Sequence, residues 1–169
     1  APDCCFCEHC MKKIRQWLAS EYGDLDALNE AWGSSFASWD EVEPDTFIEA
    51  QAKGRYVSWS DHRRFNDIST RALLALSKAA LRKEDPDAET QLSGTYDVAA
   101  YSGMDWWEIY KTLDSSNGYS NKADRGSLQG RIAAEWSPTG VNVPWTTGYN
   151  ADPHIQRYDV YSHALDGDR

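Results

Sequence analysis

The sequence predicts an α/β fold, part of a (β/α)8 barrel, with a cysteine-rich loop at its N-terminus. Three observations carry this. After an N-terminal pair of helical patterns, a long helix leads into strand and helix patterns that alternate three times. Alternation of that kind argues a parallel sheet with crossover helices. The strand patterns number about three, whereas a closed barrel needs eight strands and typically about 250 residues. The chain has 169 residues, opens on the cysteine loop and closes on Gly-Asp-Arg after a helical pattern. A piece of a larger barrel is therefore expected, with a small complete α/β domain as the rival reading. All of 1–169 is read as one partial-barrel domain. Within it, 1–10 is a metal-type loop, 11–33 a helix pair, 34–57 a loop and 58–169 the alternating part.

Each element has its local reason. Residues 11–22 carry Ile14, Trp17, Leu18 and Tyr22 at helical spacing, and Gly23 is a good stop. Asp24 can cap a second short helix built on Leu25, Leu28 and Trp32, ended by Gly33. From Ser34 to about Val57 there is no clear period, only a loop with Phe36, Trp39 and Phe47. A loop of that length inside a domain is usually functional. The longest helix is expected from Ser58 to about Glu84, with Ser58 and Asp61 as a capping box. Its stripe is Phe65, Ile68, Ala72, Leu76 and Ala79, and Asp85-Pro86-Asp87 ends it. Residues 89–93 read as a strand stopped by Gly94, 105–113 as a helix and 114–119 as a strand. Residues 125–129 read as a helix tail and 131–135 as a strand, followed by a loop over 136–150 rich in Pro, Thr and Gly. The last helix, 153–165, places Ile155, Tyr158, Tyr161 and Leu165 on one face.

All four cysteines, Cys4, Cys5, Cys7 and Cys10, lie in the first ten residues. Disulfides stabilise most when they close long loops, and sulfurs this close together staple almost nothing. Thiolates converging on one soft cation need this local spacing, so a structural zinc ion is expected, with local disulfides and free thiols as the alternatives. Cys5, Cys7 and Cys10 are the leading ligands. The fourth is Cys4, His9 or a residue outside the chain. Metal-type spacing leans toward the cytoplasm, with secretion as the alternative, and the compartment is not fixed by the sequence. The net charge of −10 argues against nucleic acid and anionic lipid as partners. No apolar run is long enough to span a membrane. There is no Gly-rich phosphate loop, and no organic cofactor is expected. Eight Trp and nine Tyr supply flat faces that suit a core and also stack on flat ligands such as sugar rings.

The segments Cys5-Phe-Cys-Glu-His-Cys10, Ile14-Arg-Gln-Trp-Leu18 and Tyr22-Gly-Asp-Leu-Asp-Ala-Leu-Asn-Glu-Ala-Trp-Gly33 resemble glycoside hydrolase family 42, the β-galactosidases. Further on, Trp59 to Phe65 resembles the start of that family's long barrel helix. Asp105-Trp-Trp with Leu113-Asp114 and Tyr119 resembles its sixth barrel unit. The resemblance implies a segment running from just after the fourth strand to about the seventh. It implies cleavage of terminal β-galactosides with retention by two carboxylates, one a general acid/base and one a nucleophile. It implies an oligosaccharide or β-galactoside substrate, and a homotrimer for the intact protein.

The family's acid/base glutamate follows an asparagine upstream of the cysteine loop. Asn29-Glu30 is not that pair, because it sits downstream in the helical Leu-Asn-Glu-Ala-Trp motif, and Glu30 is expected at the helix surface. The 169 residues alone are accordingly expected to be inactive. The neighbourhood of Glu135, followed by Val141-Asn142 and Trp145, resembles that of the family's nucleophile. Another placement sets 145–149 at the seventh-strand end and leaves no nucleophile in view. An aromatic that lines the family's galactose pocket is here Ala37, so Trp39 is the candidate stacking face. Asn117 stands where relatives often have Asp. Trp39, Asn117 and Trp145 are thus the candidate sugar contacts. His62, His154 and His163 are expected in surface or packing roles. The competing readings are a non-catalytic carbohydrate-binding or scaffold domain, and a small zinc-knuckle interaction module.

Overall fold

The computed structural model describes residues 5–95, 104–118, 135–140 and 152–165. The chain divides into two compact units, Ala1–Ser69 and Thr70–Arg169. Among the described residues no helix is long and apolar enough to cross a membrane.

The first unit is helical. Helix α1 spans Glu8–Tyr22, and α2 spans Leu25–Trp32. The sequence placed the start of α1 at residue 11, but the helix begins inside the cysteine loop, so Cys10 belongs to its first turn. Gly23 ends α1 at φ 79°, and its N–H donates to the Ala19 carbonyl. The Asp24 carboxylate caps α2 by accepting the Ala27 N–H at 2.7 Å. Met11, Ile14 and Leu18 of α1, Leu28 and Trp32 of α2, and Val42 form the core. Ile14, Leu18, Leu28 and Val42 are fully buried, each contributing about 1.5–3 kcal/mol of apolar burial.

The expected loop over 34–57 is corrected by the structure. It contains a 3-10 turn at Trp39–Glu41 and a helix, α3, at Phe47–Lys53. A capping box starts α3: the Thr46 hydroxyl accepts the Glu49 N–H, and the Glu49 carboxylate accepts the Thr46 N–H. The segment is too short to show a helical period, which is why the pattern hid it. Helix α4 then runs from Val57 to Glu84. Ser58 does not cap it. Its hydroxyl donates to Asp45 at 2.7 Å, while Asp61 is engaged by Tyr22 and Trp32.

In the second unit, β1 (Gln91–Thr95) and β2 (Ser115–Gly118) pair in parallel, with α5 (Trp106–Thr112) between them in sequence. Parallel strands joined through a helix are the unit from which the predicted α/β architecture is built. Gln91 faces Ser115 and Thr95 faces Gly118, with a register shift between Leu92 and Thr95. Gly94 therefore lies within the strand at an irregularity instead of ending it. Asp105 caps α5 by accepting the Glu108 N–H at 3.2 Å. Trp106, Ile109, Tyr110 and Leu113 form this unit's core, with Leu74, Leu92 and Trp136 against them. The expected stripe on α4 is corrected here: Leu74 faces the core, whereas Leu76 is 67% exposed and Ala72 and Ala79 are exposed. Helix α6 spans Pro153–Leu165, with Ile155, Tyr158 and Tyr161 exposed. The helix expected at 125–129 and the strand residues 131–134 lie outside the described residues; Glu135, expected to end that strand, is corrected to helical, in a turn shared with Trp136.

Candidate functional site: a cysteine cluster and a polar groove

The ligand atoms of Cys5, Cys7 and Cys10 lie within 4.8 Å of one another. Among the described residues they form the one such group of three or more metal-ligating side chains. Their convergence is a property of the α1 terminus. Cys7 is its N-cap in an extended conformation, and the Cys7 carbonyl accepts the Met11 N–H at 2.9 Å. Cys10 follows three residues on, in the first turn, on the side of Cys7. The Cys7 N–H donates to Cys5 Sγ at 3.4 Å, which turns the third sulfur toward the other two.

The electrostatics favour a thiolate at Cys7 and resist one at Cys10. The Cys10 backbone N–H, with help from the Cys5 and Cys7–Cys10 side-chain contacts, lowers the Cys7 thiol to about 7. Hydrogen bonding with Cys5 and Cys7 pushes the Cys10 thiol up to about 12, because neighbouring sulfurs resist ionising together. A divalent cation removes that conflict by replacing the shared protons. Tetrahedral zinc–thiolate bonds of about 2.3 Å put sulfurs roughly 3.8 Å apart, a separation compatible with three sulfurs that lie within 4.8 Å of one another. The donor set thus fits a soft metal ion. Cys4 lies outside the described residues, and His9 is exposed on α1 and does not join the three sulfurs.

The loop is tied to α4 from behind. His62 is 3% exposed, and its Nε2–H donates to the Cys5 carbonyl at 3.2 Å. The Phe6 ring meets the His62 ring edge-on at 4.6 Å. His62 therefore has the packing role expected for it.

The recognisable segments around the cluster make a hydrogen-bonded frame. One carboxylate oxygen of Asp61 accepts from the Tyr22 hydroxyl at 2.6 Å and from Trp32 Nε1 at 2.8 Å. Burial, then Asp61, raises the Tyr22 phenol to about 12. The Asn29 side chain folds the next loop back on α2: it donates to the Phe36 carbonyl and accepts from the Phe36 N–H and the Ser34 hydroxyl. Glu30 is exposed, as expected. Gly33 ends α2 at φ 60°, and the Arg55 guanidinium lies where a Cβ would stand. Beside this frame is an open groove of about 570 Å³, lined by Phe6, Trp32, Phe36, Glu43, Asp45 and Arg55 among others. Asp45 pairs with Lys53 there. Trp39 is half-buried against the core and is not among the groove's lining residues.

In the second unit Asp114 is 6% exposed just before β2. It accepts from Lys78 at 2.7 Å, Arg82 at 2.8 Å, and the Thr90 N–H and hydroxyl at 2.9 and 2.8 Å. Burial alone would raise its carboxyl, but Lys78 and Thr90 outweigh that and hold it at about 2. The strand ends where Asp114 and Thr90 sit are the N-terminal ones, the stability side of such a sheet. Glu135 is exposed and helical, next to Trp136, whose ring meets Trp107 edge-on at 5.3 Å. Asn117 lies on β2, and Trp145 lies outside the described residues.

The family model described as β-galactosidase, glycoside hydrolase family 42, matches residues 2–132. Glu135 lies just beyond the matched segment. A β-galactosidase of Planococcus sp. (strain L4), BgaP, is 30% identical over 133 residues, covering 69% of this chain and 20% of that protein. A β-galactosidase of Halorubrum lacusprofundi is 28% identical over 176 aligned positions, covering 96% of this chain and 22% of that protein. The chain thus spans about a fifth of the length of these curated relatives. Among solved structures, a β-galactosidase from Rahnella sp. R3 is similar with a TM-score of 0.78 at 19% identity, covering 99% of this chain and 28% of that one. A β-galactosidase from Bacillus circulans is similar with a TM-score of 0.70 at 21% identity, covering 98% of this chain and 28% of that one. These likenesses show the fold, and with most of its length matched by the family model, the chain belongs to glycoside hydrolase family 42.

Proposed function

We propose that this chain is a segment of a retaining glycoside hydrolase barrel that cleaves terminal β-galactosides. The observation that carries the reading is the family match over residues 2–132. The parallel β1–β2 pair with α5 between its strands supports the partial-barrel architecture. In this reading Glu135 is the nucleophile that forms the glycosyl-enzyme. Its general acid/base partner is supplied by the part of the barrel that precedes the cysteine loop. The two-carboxylate chemistry needs one carboxylate as nucleophile and a protonated partner as general acid. Trp39, Asn117 and Trp145 are the proposed sugar contacts. The exposed share of Trp39 leaves room for a stacking role beside its packing role. The substrate is a β-galactoside or galactose-terminated oligosaccharide, and the intact protein is a homotrimer.

The cysteine cluster has a separate task. Cys5, Cys7 and Cys10, with Cys4 as fourth ligand, hold a structural zinc ion. When bound, the ion crosslinks the loop to α1, and an all-thiolate set leaves no open position for water activation. The support is the convergence of three thiols on a helix N-terminus.

The test is Glu135→Gln in the intact protein, assayed on p-nitrophenyl β-D-galactopyranoside. We expect kcat to fall by a factor on the order of 10⁴ or more, as for removal of other catalytic nucleophiles; in Glu135→Ala, where truncation leaves room for an anion, added azide should displace p-nitrophenolate with inversion and give α-galactosyl azide. Proton NMR of the wild-type reaction should show the β-anomer of galactose first. An unchanged rate in Glu135→Gln removes Glu135 from the mechanism. Sugar binding without hydrolysis by the wild type replaces the hydrolase reading with the carbohydrate-binding one.

A further inference from the structure

Two of the three clustered cysteines owe their position to α1: Cys7 occupies the N-cap position and Cys10 sits in the first turn. Cys5 precedes the helix and is exposed; its sulfur accepts the Cys7 N–H at 3.4 Å, but the residue itself lies outside the helix. Its backbone is held from a helix more than fifty residues away. His62, buried on α4, donates Nε2–H to the Cys5 carbonyl, and Phe6 is held edge-on against the same ring. Both residues that lead from the first sulfur to the helix cap are thus fixed by one imidazole.

We infer that His62 is a positioning residue for the metal site: it sets where Cys5 presents its sulfur to the Cys7–Cys10 pair, and so sets the affinity of the cluster. This rests on the zinc reading above. The physical argument is entropic. A free loop would have to order the Cys5–Phe6 backbone when the ion binds, and that lost chain entropy would weaken binding. With the His62 bond in place that ordering precedes the metal. Partners that orient ligands from behind change metal affinity by roughly 10–100-fold when removed, and His62 acts here through a main-chain carbonyl.

The test measures zinc affinity of the intact protein by competition with a chromophoric chelator. It also follows the thiolate-to-metal charge-transfer band of cobalt(II) placed in the same site. His62→Phe keeps a buried ring and loses the donor. We expect zinc to bind at least tenfold more weakly and the cobalt band to lose intensity, with the circular dichroism of the helices unchanged. His62→Gln keeps an N–H donor and should bind within about threefold of wild type. Equal affinity in wild type and His62→Phe overturns the inference, and so does a folded His62→Gln as weak as His62→Phe. Should His62→Phe fail to fold, Phe6→Ala carries the test. At least a threefold loss supports the inference, and no loss overturns it. A wild-type protein that binds neither zinc nor cobalt overturns the zinc reading itself, and this inference with it.

Discussion

At the residue scale, two aspartates organise the two units, each through side-chain hydrogen bonds. Asp61 gathers Tyr22 from α1 and Trp32 from α2 onto α4 through one oxygen. Asp61→Ala leaves a phenol and an indole N–H without their acceptor, and should cost about 2–4 kcal/mol in urea unfolding. Asp61→Asn, which keeps an acceptor oxygen, should cost less. The same contact makes stability depend on alkaline pH. Burial and Asp61 raise the Tyr22 phenol from its usual value near 10 to about 12 in the folded state. The folded protein favours the protonated phenol, so this contribution is intact below pH 10 and is lost as pH rises from 10 toward 12. Tyr22→Phe should flatten that part of the pH–stability curve. Asp114 behaves in the opposite sense. Its carboxyl is held at about 2 against a usual 3.8, so its contribution is present above pH 4 and lost as pH falls from 4 toward 2. Asp114→Ala leaves Lys78, only 17% exposed, without a counter-charge and should cost about 3–5 kcal/mol by the same assay.

At the scale of elements, what could be read in advance depended on whether a segment carries its own signal. Helices α1 and α2 were legible because apolar spacing, the Asp24 cap and the Gly23 and Gly33 stops agree with one another. Helix α3 was not, since seven residues show too little periodicity. Only Thr46-x-x-Glu49 and Gly54 marked it, and no apolar stripe accompanied them. The buried face of α4 is not legible locally, because its alanines and leucines lie all round the helix. Leu74 is selected by the Trp106–Tyr110 core, a contact that local sequence does not encode. The convergence of three cysteines was legible from spacing alone, whereas His62 was visible only as a helical histidine until the fold brought it to Cys5. Gly33 offers a check at this scale. Gly33→Ala meets both a left-handed backbone and the Arg55 guanidinium, and should cost about 1–2 kcal/mol from the backbone alone. Thermal unfolding would measure it.

At the scale of the whole molecule, family membership accounts for the length of the match and for the segments shared around the cysteine loop. The chain covers about a fifth of its curated relatives, and the proposed chemistry belongs to the intact barrel. If zinc crosslinks the loop to α1, a chelator should lower the melting temperature of the intact protein, and added zinc should restore it. No shift would separate the cysteines from stability. The central claim is that Glu135 is the nucleophile of a retaining β-galactosidase, and a mechanism-based label tests it most directly. The intact protein would be treated with a 2-deoxy-2-fluoro-β-galactoside bearing a good leaving group, digested, and mapped by tandem mass spectrometry. The account predicts time-dependent inactivation and one fluorogalactosyl ester, on Glu135. A label on another carboxylate, or turnover with no trapped intermediate, would contradict it.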